Sequence, residues 1–305
     1  MSGITVSIFM LTYNQEQFIA QTIEGVLRQK TNFDYQLVIG EDYSTDDTRT
    51  ICEHYATEYG MKIKLLPSLH KNIGLIANYM RTIKECDGKY IAICDGDDYW
   101  IDEDKLQKQV DFLEKNPDYS IVYTAVKRLY PNGKTIDYNY NLNKKHLDFD
   151  DLIFDNFIHS VTALFRNVQS KENSIPSWII NFPFGDWQTY LWVIRDGGKI
   201  HFLDDITAVY RMGIGVSSSY MKKNSTFIQD LITILEQVYW DEKFKHKKEI
   251  IASSMLNRQK DLMTCYNREK TYFEGFRLFL SIFKTTNKKL EFIKFYGYSV
   301  FKSFT

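Results

Sequence analysis

The sequence predicts an α/β protein in which helices flank a mixed sheet and a helical extension follows toward the C-terminus. Strand-like and helix-like segments alternate through the first 125 residues, as in a parallel sheet with helical crossovers. Polar and acidic clusters directly follow several of the predicted strands. Strand patterns stop after Ser219, and helical periodicity covers most of the remaining residues.

The first 125 residues contain four predicted strands, each followed by a helix. The strands are short apolar runs, and the helices carry apolar residues three and four positions apart. Asn14 is a candidate N-cap of the first helix, where Gln17 would complete a capping box, and Ser44 is a candidate N-cap of the second. The predicted strands cover residues 6–11, 36–39, 63–66 and 90–94, and later helices cover 75–85 and 105–115.

Beyond residue 120 the predicted pattern is mixed. Residues 121–125 alternate in the manner of a strand. Asn132-Gly133 is a strong tight-turn signal, so a hairpin is predicted there. Further strands are predicted at 161–165, 199–203 and 207–211, and a helix at 186–195.

This change of pattern divides the chain into two predicted domains. The first covers residues 1–217, with one half at about 1–125 and the other at about 126–217. The second covers residues 218–305 and is helical. A chain of 305 residues is long enough to bury a core for one large domain with such an appendage.

Composition excludes several classes of protein. Lys and Arg total 38 against 39 Asp and Glu, so the chain lacks the basic excess that nucleic-acid binding favours. The four cysteines form no C-x-x-C pair, so neither a structural zinc site nor a disulfide framework is predicted. The sequence shows no secretory leader and no run of about 18 apolar residues, so we expect a cytoplasmic protein.

Polar clusters follow three of the predicted strands, and a fourth cluster opens a later helix. In open α/β sheets, ligands bind at the carboxyl ends of the strands. These clusters are therefore the candidate functional residues. They are Thr12-Tyr13-Asn14, the run from Glu41 to Asp47, Asp95-Gly96-Asp97-Asp98, and Gly185-Asp186-Trp187.

The cluster after the fourth strand is the most informative. Asp95 and Asp97 are two positions apart, so a turning segment can bring both carboxylates to one site. Mg²⁺ or Mn²⁺ is typically held by one or two carboxylates together with substrate phosphates. Gly96 removes a side chain where a phosphate or sugar would approach the backbone. The alternative interpretation is a solvated acidic turn without a ligand.

Taken in order, these motifs resemble glycosyltransferase family 2 over roughly residues 4–217. The resemblance implies a GT-A (Rossmann-like) fold, mostly inverting chemistry, a nucleotide-sugar half at about 1–125 and an acceptor half at about 126–217. The motifs that carry it are Met10-Leu11-Thr12-Tyr13-Asn14, Glu41-Asp42-Tyr43-Ser44-Thr45-Asp46-Asp47-Thr48, Asn72-x-Gly74-x-x-x-Asn78, Asp95-Gly96-Asp97-Asp98-Tyr99-Trp100, Gly185-Asp186-Trp187 and Tyr210-Arg211.

The resemblance also implies roles for individual residues. Asp42 would accept a hydrogen bond from a uracil ring, and Asp186 would be the catalytic base. Asp97, with Asp95, would hold Mg²⁺ or Mn²⁺. The other implied donor contacts are Thr12, Tyr13, Asn14, Asn72, Asn78, Asp95, Gly96 and Arg211, of which Arg211 would close over the diphosphate or acceptor. Trp100, His159 and Trp187 are candidates for the acceptor side.

One departure from the family pattern affects the metal site. The family often has a His two residues after this Tyr-Arg pair, and here Gly213 occupies that position. A catalytically weak or inactive nucleotide-sugar-binding protein is therefore an alternative. Asp186 has an alternative of its own, because an acidic residue at a helix N-terminus is stabilised by the helix dipole.

The function expected from these residues is transfer of a hexose-type sugar from a nucleoside-diphosphate sugar, a UDP-sugar, to an acceptor hydroxyl. A cation would stabilise the leaving diphosphate, and a carboxylate would remove the proton from the hydroxyl. Attack opposite the leaving group inverts the anomeric centre. The expected acceptor is a saccharide or lipid-linked intermediate of surface polysaccharide or glycoconjugate synthesis.

The last segment, residues 284–305, combines basic and aromatic residues. Five lysines stand against Glu291, for a net charge of +4, and aromatic residues interleave with them. Such a composition suits peripheral contact with a membrane surface, on the inner face of the membrane for a cytoplasmic protein. A helix packed on the catalytic domain, or the interface of a homo-oligomer, is the alternative.

Overall fold

The computed structural model describes residues 3–139, 144, 146–170, 174–215, 224–286 and 288–304. The chain forms two compact units, Met1–Gly215 and Val216–Thr305. In the described part, every strand belongs to the first unit.

The first unit is built on one mixed sheet of ten strands. The predicted α/β class, with helices flanking a mixed sheet and a helical C-terminal part, is confirmed. The strands are β1 (Val6–Thr12), β2 (Tyr35–Glu41), β3 (Ile63–Leu65), β4 (Tyr90–Ile93), β5 (Tyr99–Trp100), β6 (Tyr119–Leu129), β7 (Thr135–Tyr138), β8 (His146–Leu147), β9 (Leu164–Arg166) and β10 (Lys199–Arg211).

Strand order places the loops that follow β1, β2 and β4 side by side. The main path of the sheet runs β3-β2-β1-β4-β9-β6-β10-β5. The first four strands of this path are parallel, whereas β9 is antiparallel to both of its neighbours. Every residue of β1 is buried, as expected for a central strand covered on both faces. The carboxyl ends of β2, β1 and β4 therefore form one edge.

The first two helices of this unit begin later than the sequence predicts, whereas the helices predicted to start at 75, 105 and 186 begin at those residues. The first helix starts at Ile19 and the second at Thr48, so Asn14 and Ser44 are not N-caps, and those two predictions are wrong. Asn14 instead adopts a left-handed conformation with φ +52°, and its backbone N–H donates to the Ser44 hydroxyl at 3.0 Å. The helices are α1 (Ile19–Leu27), α2 (Thr48–Glu58), α3 (Leu75–Ile83), α4 (Lys105–Lys115), α5 (Phe149–Leu152) and α6 (Asp186–Ile194).

In the second half of this unit, two segments predicted as separate strands form a single strand. The segments predicted at 199–203 and 207–211 join as β10, whose pairing with β6 is irregular between Leu203 and Ala208. The predicted hairpin is present, because β6 pairs with β7 across a turn in which Gly133 has φ +80°. The strand predicted at 161–165 is instead a 3₁₀ turn, Ser160–Thr162, followed by β9.

The second unit consists of helices in its described part. Asn224 caps the first of them, because its side-chain oxygen accepts from the Phe227 N–H at 2.9 Å. No helix among the described residues is both long and apolar enough to cross a membrane. The helices are α7 (Ser225–Trp240), a 3₁₀ turn (Glu242–Lys247), α8 (Lys248–Arg268), α9 (Tyr272–Thr285) and α10 (Lys289–Lys302).

Candidate active site

The loops after β1 and β2 are joined by reciprocal hydrogen bonds. The Asn14 side-chain oxygen accepts from the Thr45 N–H at 2.8 Å. Further along the same two loops, the Asp46 side chain accepts from the Glu16 N–H at 3.1 Å. The Glu16 side chain accepts from the Asp47 N–H at 3.0 Å. These bonds satisfy backbone groups that the later helix starts leave outside α1 and α2. The two loops thus form one polar surface at the carboxyl edge of the sheet.

Two tyrosines stand out from this surface. Tyr13 is 43% exposed and Tyr43 is 45% exposed. Tyr43 has φ +60°, a conformation that a bulky side chain seldom adopts, and such backbone outliers often occur at ligand sites. Both rings are available to a flat ligand such as a nucleotide base. Thr12, in contrast, is only 3% exposed, so the structure does not bring its side chain to this surface.

Asp42 is held in one orientation by the loop that precedes α3. Its two carboxylate oxygens accept from the Ile73 and Gly74 N–H groups, each at 2.9 Å. The Asn72 side chain donates to the Asp42 carbonyl at 2.9 Å. Burial raises the pKa of Asp42, and the two backbone hydrogen bonds oppose that rise. Asn72 thus lies beside Asp42, and the carboxylate has a fixed direction.

Asn78 lies on the inner side of α3. It is 2% exposed, its amide donates to the Gly40 carbonyl at 2.7 Å, and its oxygen accepts from Arg81 at 3.0 Å. These contacts occupy its donor and acceptor groups within the fold. Asn78 is therefore a structural residue and does not contact the donor. Its position ties α3 to β2 and so supports the Asp42 loop.

The acidic cluster after β4 brings two carboxylates together with a third. Asp95 and Asp97 are partly buried, and the pKa of Asp95 is raised to about 7 by burial, by the charge of Asp97 and by the charge of Asp186. Asn156 bonds Asp186 and Ser160 bonds Asp95, so one short segment contacts both carboxylates although they are 91 positions apart in the chain. Asp98 is different, because it is 2% exposed and accepts from the Arg211 N–H at 2.8 Å. Asp98 anchors the loop.

Gly96 serves packing and does not open space for a ligand. Its N–H donates to the Leu11 carbonyl at 2.8 Å, and an added Cβ would lie 2.9 Å from the Thr12 hydroxyl. The side-chain oxygen of Gln15 would be closer still to this added Cβ. The predicted role of Gly96 is corrected accordingly: the glycine lets the acidic loop pack on the end of β1. In the described part of the protein, the Thr12 hydroxyl and the Gln15 oxygen are buried without a hydrogen-bond partner.

Asp186 is the first residue of α6. Its carboxylate accepts from the Asn156 amide at 3.0 Å. Burial raises the pKa of Asp186, while the Trp187 N–H and the Asn156 amide oppose the rise. The helix start is positioned by α3, because Gly185 lies against the Tyr79 ring and the Tyr79 hydroxyl donates to Thr189 at 2.9 Å. The carboxylate is thus aimed by contacts outside its own helix.

Arg211 is a fixed brace and does not close over a ligand as the sequence resemblance implies. It is 7% exposed, and its guanidinium lies between the rings of Phe18, at 4.7 Å, and Tyr99, at 4.6 Å. The guanidinium donates to the Asp97 carbonyl and to the Gln21 side chain. Two rings and several hydrogen bonds hold this cation inside the fold. Its contribution is to fix the loop that carries Asp97.

The segment after β10 passes close to Asp97. Gly213 has φ +79° and Gly215 has φ +81°, so both occupy the region that favours glycine. A Cβ on Gly215 would lie 2.5 Å from the Asp97 carboxylate. A histidine at position 213 would be strained in the observed backbone. Residues 216 and 217, which complete the segment predicted to close over the site, lie outside the described residues.

The two tryptophans predicted on the acceptor side are buried. Trp100 and Trp187 are each 1% exposed, and their indole N–H groups donate to the carbonyls of Val161, at 2.9 Å, and Leu152, at 2.8 Å. Neither side chain is accessible to an acceptor, so the prediction that these two residues line the acceptor side is wrong. His159 remains near the site as a partly buried ring. Burial, together with the nearby charge of Arg128, lowers the pKa of His159 to about 4, so the ring is neutral at pH 7.

Sequence reasoning missed the residues that orient the carboxylates. Asn156 donates to Asp186, and the Ser160 hydroxyl donates to Asp95 at 3.3 Å. These pairs are separated by 30 and 65 positions, so no local spacing links them. The turn signals around 155–160 could have marked this segment as a loop. They could not have shown which carboxylates the side chains of Asn156 and Ser160 contact.

The residues present fit a cation that takes further ligands from a substrate. Asp95 and Asp97 offer the hard oxygen ligands that Mg²⁺ or Mn²⁺ prefers. Burial, and then the charge of Asp97, raise the pKa of Asp95, and a positive ion would relieve the repulsion between the two carboxylates. Among the described residues, no group of three or more His, Cys, Asp or Glu side chains is arranged to hold an ion alone.

The mixed sheet with its acidic edge is of the GT-A type of fold. The family model described as "Glycosyl transferase family 2" matches residues 7–170, which is more than half of the chain. The chain belongs to glycosyltransferase family 2.

Individual proteins agree with this assignment. The chain is 34% identical over 209 residues to "Uncharacterized protein Rv1520" of Mycobacterium tuberculosis, a match that covers 68% of this chain and 58% of that one. It is 35% identical over 128 residues to "dTDP-rhamnosyl transferase RfbG" of Shigella flexneri, covering 41% and 43% of the two chains. The match with the mycobacterial protein thus spans less than two thirds of that protein's length.

A solved structure shares the fold. The structure of S. aureus TarS 1-349 in complex with UDP-GlcNAc superposes with a TM-score of 0.64 at 18% identity, covering 91% of this chain and 83% of that one. At this identity the likeness shows the fold, and the roles of residues require separate support.

Proposed function

We propose that this protein transfers a hexose-type sugar from a UDP-sugar to an acceptor hydroxyl with inversion at the anomeric carbon. The observation that carries the proposal is the approach of three carboxylates from two elements to one segment. Asp95 and Asp97 follow β4 and Asp186 begins α6, while Ser160 and Asn156 of the same segment bond Asp95 and Asp186. Nucleotide-sugar transfer needs this combination of cation ligands and a base.

The donor base would bind between the exposed tyrosines and Asp42. Tyr13 and Tyr43 offer rings to the base, and Asn14 and Asn72 border the same edge. The Asp42 side chain is 3% exposed and fixed by two N–H groups, so it would meet a base only at the floor of the site, where its remaining lone pairs can accept from the imide N–H of uracil. Thymine presents the same imide edge. A dTDP-sugar, the donor type named for the Shigella relative, would therefore satisfy Asp42 as well, whereas guanine presents a different edge.

Asp95 and Asp97 would hold Mg²⁺ or Mn²⁺ together with diphosphate oxygens, and the bound ion neutralises charge that develops on the leaving diphosphate. The chain itself keeps the Asp97 loop in place. The Arg211 guanidinium donates to the Asp97 backbone carbonyl, and the Asp98 carboxylate accepts from the Arg211 N–H. The backbone at Gly215 lies against the Asp97 carboxylate, where no side chain would fit. This rigid loop is what a shared ion requires.

Asp186 would take the proton of the acceptor hydroxyl. Asp186 is partly buried, and a carboxylate whose pKa is raised holds a proton more firmly than an exposed one, which suits a general base. Asn156 and the start of α6 fix the direction of the carboxylate. Attack from the side of Asp186, opposite the diphosphate, converts an α-linked donor into a β-linked product. His159 borders the acceptor side as a neutral ring.

The acceptor would be a saccharide or lipid-linked intermediate of surface polysaccharide or glycoconjugate synthesis. The described acceptor side includes Arg128, whose guanidinium lies 3.6 Å from the Tyr138 ring centroid and 3.2 Å from His159. A stacked cation beside a neutral ring suits a polar saccharide. Measurement of donor hydrolysis would distinguish an active enzyme from an inactive nucleotide-sugar-binding protein.

Titration calorimetry tests the donor site directly. UDP, dTDP and GDP are each titrated with and without Mn²⁺. We expect UDP and dTDP to bind in a metal-dependent manner and GDP to bind more weakly. The Asp97→Asn variant should lose the metal dependence, and Asp42→Asn should weaken UDP binding. If no nucleotide binds with or without the metal, the donor-site assignment fails and the acidic clusters are structural.

A further inference from the structure

Helices α9 and α10 form an antiparallel pair with one face on α8. Phe279 stacks on Phe292 at 5.3 Å near one end, and Tyr272 stacks on Phe304 at 5.7 Å near the other. The inner face is defined by four buried residues that face α8. Ile282 and Phe292 cluster with Met263, the Ser299 hydroxyl accepts from the Asn267 amide at 2.8 Å, and Gly275 lies against the Asn267 side chain.

The opposite face of the pair is apolar and exposed. Two positions along an α-helix correspond to a rotation of about 200°, so a residue two positions from a buried one points the other way. Each of the four inner residues has an apolar residue at that offset. We define the outer apolar face by these residues: Phe273 (68% exposed), Leu280 (41%), Leu290 (77%) and Phe301 (66%), together with Ile293 (46%) and Phe304 (73%).

Basic side chains surround this outer apolar face. Among the described residues of α9, α10 and the turn between them, Glu274 and Glu291 are the acids, and Glu291 pairs with Lys288 at 3.4 Å. The remaining charges are positive, although the chain as a whole carries −1. The exposed basic residues are Arg277, Lys284, Lys288, Lys289, Lys294 and Lys302.

We propose that the outer apolar face binds the surface of an anionic membrane. Apolar side chains on one face of a helix, flanked by lysines, enter the boundary between headgroups and acyl chains while the lysines meet anionic headgroups. Charge selects this occupant over a second copy of the chain, because two such faces would bring two clusters of positive charge together. The proposal does not depend on the proposed enzymatic function.

Vesicle flotation of the full chain tests the apolar part of the proposal. The protein is mixed with phosphatidylcholine vesicles with or without phosphatidylglycerol. We expect flotation with the anionic vesicles only. Leu290→Glu and Phe301→Glu should each reduce partitioning by about tenfold or more, because each removes one large apolar side chain from the interface. Met61→Glu, at an equally apolar position that is 93% exposed in the first unit, is the matched control and should float normally.

Lysine variants test the electrostatic part. Lys294→Gln combined with Lys302→Gln should weaken flotation at low salt, and added salt should weaken the wild type toward the same level. Lys84→Gln, an exposed lysine of the first unit, should change nothing. Far-ultraviolet circular dichroism confirms that each variant is folded.

Two results would overturn the proposal. In the first, the wild type does not float, or Leu290→Glu floats as well as Met61→Glu. In the second, light scattering shows a dimer without vesicles that Leu290→Glu converts into a monomer, and no vesicle binding accompanies it. The outer apolar face would then be a subunit interface.

Discussion

The two units of the chain place their unusual side chains in opposite positions. The first unit buries charged residues, among them Glu41, Asp98 and Lys105, each at most 2% exposed. The second unit exposes large apolar residues such as Leu290 and Phe301. Buried charge is tolerated only where partners hold it, so in the first unit it fixes loops at the sheet edge. Exposed apolar surface does not stabilise its own unit. It marks a surface at which another molecule binds.

The sharpest test of the first unit is Asp186→Asn. The variant keeps the shape of the side chain but cannot accept the acceptor proton at neutral pH, so transfer should fall by about 10²–10⁴-fold. Nucleotide binding, measured by calorimetry, should be unchanged. Asp196→Asn, at an exposed aspartate just beyond the end of the same helix, is the control. Normal turnover by Asp186→Asn would remove this residue from the mechanism.

Lys105 tests whether buried charge in the first unit depends on pH. Its ammonium donates to Gln109 at 2.7 Å and lies 4.4 Å from the Trp100 ring centroid, and burial lowers its pKa from 10.5 to about 7. Between these values the unfolded chain binds a proton that the folded chain does not. The free energy of unfolding should therefore rise with pH in this window, by up to about 1.4 kcal/mol per unit from this group.

The Lys105→Met variant removes that contribution. Denaturant unfolding at a series of pH values from 7 to 10 should show a flatter profile than the wild type. Lys115→Met, at an exposed lysine on the same helix, should keep the wild-type slope. Equal slopes in all three proteins would mean that Lys105 keeps an ordinary pKa in the fold.

The smallest expected effect comes from comparing an exposed with a buried apolar residue of one helix in the second unit. Leu290→Ala removes a side chain that is 77% exposed, so the free energy of unfolding should change by less than about 0.5 kcal/mol. Phe292→Ala, two positions away and 5% exposed, should cost about 3–5 kcal/mol. Chemical denaturation measures both. A comparable loss in Leu290→Ala would show that the outer apolar face is already covered within the folded chain.

The sequence predicts the sheet, the acidic edge and the family because these depend on local patterns. Apolar runs followed by Asp42 and Asp95 define strand ends whatever the rest of the chain does. The starts of the first two helices were misplaced for a different reason. Asn14 and Ser44 have good capping chemistry, but each makes its bonds to the other loop, about 30 positions away.

Side-chain direction in the site was the least predictable property. Trp100, Thr12 and Gly96 belong to motifs that point to a ligand, yet all three pack inward against neighbouring elements. Arg211 shows the same limit, because the rings that enclose it come from Phe18 and Tyr99. Such packing depends on strand order and register, which local spacing does not contain.

The reciprocal bonds between the loops after β1 and β2 have a consequence for motion. Asn14 and Glu16 accept from Thr45 and Asp47, while Ser44 and Asp46 accept from Asn14 and Glu16. Neither loop can open alone without releasing the backbone amides of both, so the pair opens as one cooperative unit. A nucleotide bound against the rings of Tyr13 and Tyr43 would therefore slow amide hydrogen exchange at residues 14, 16, 45 and 47 together, because the four amides are released in one opening.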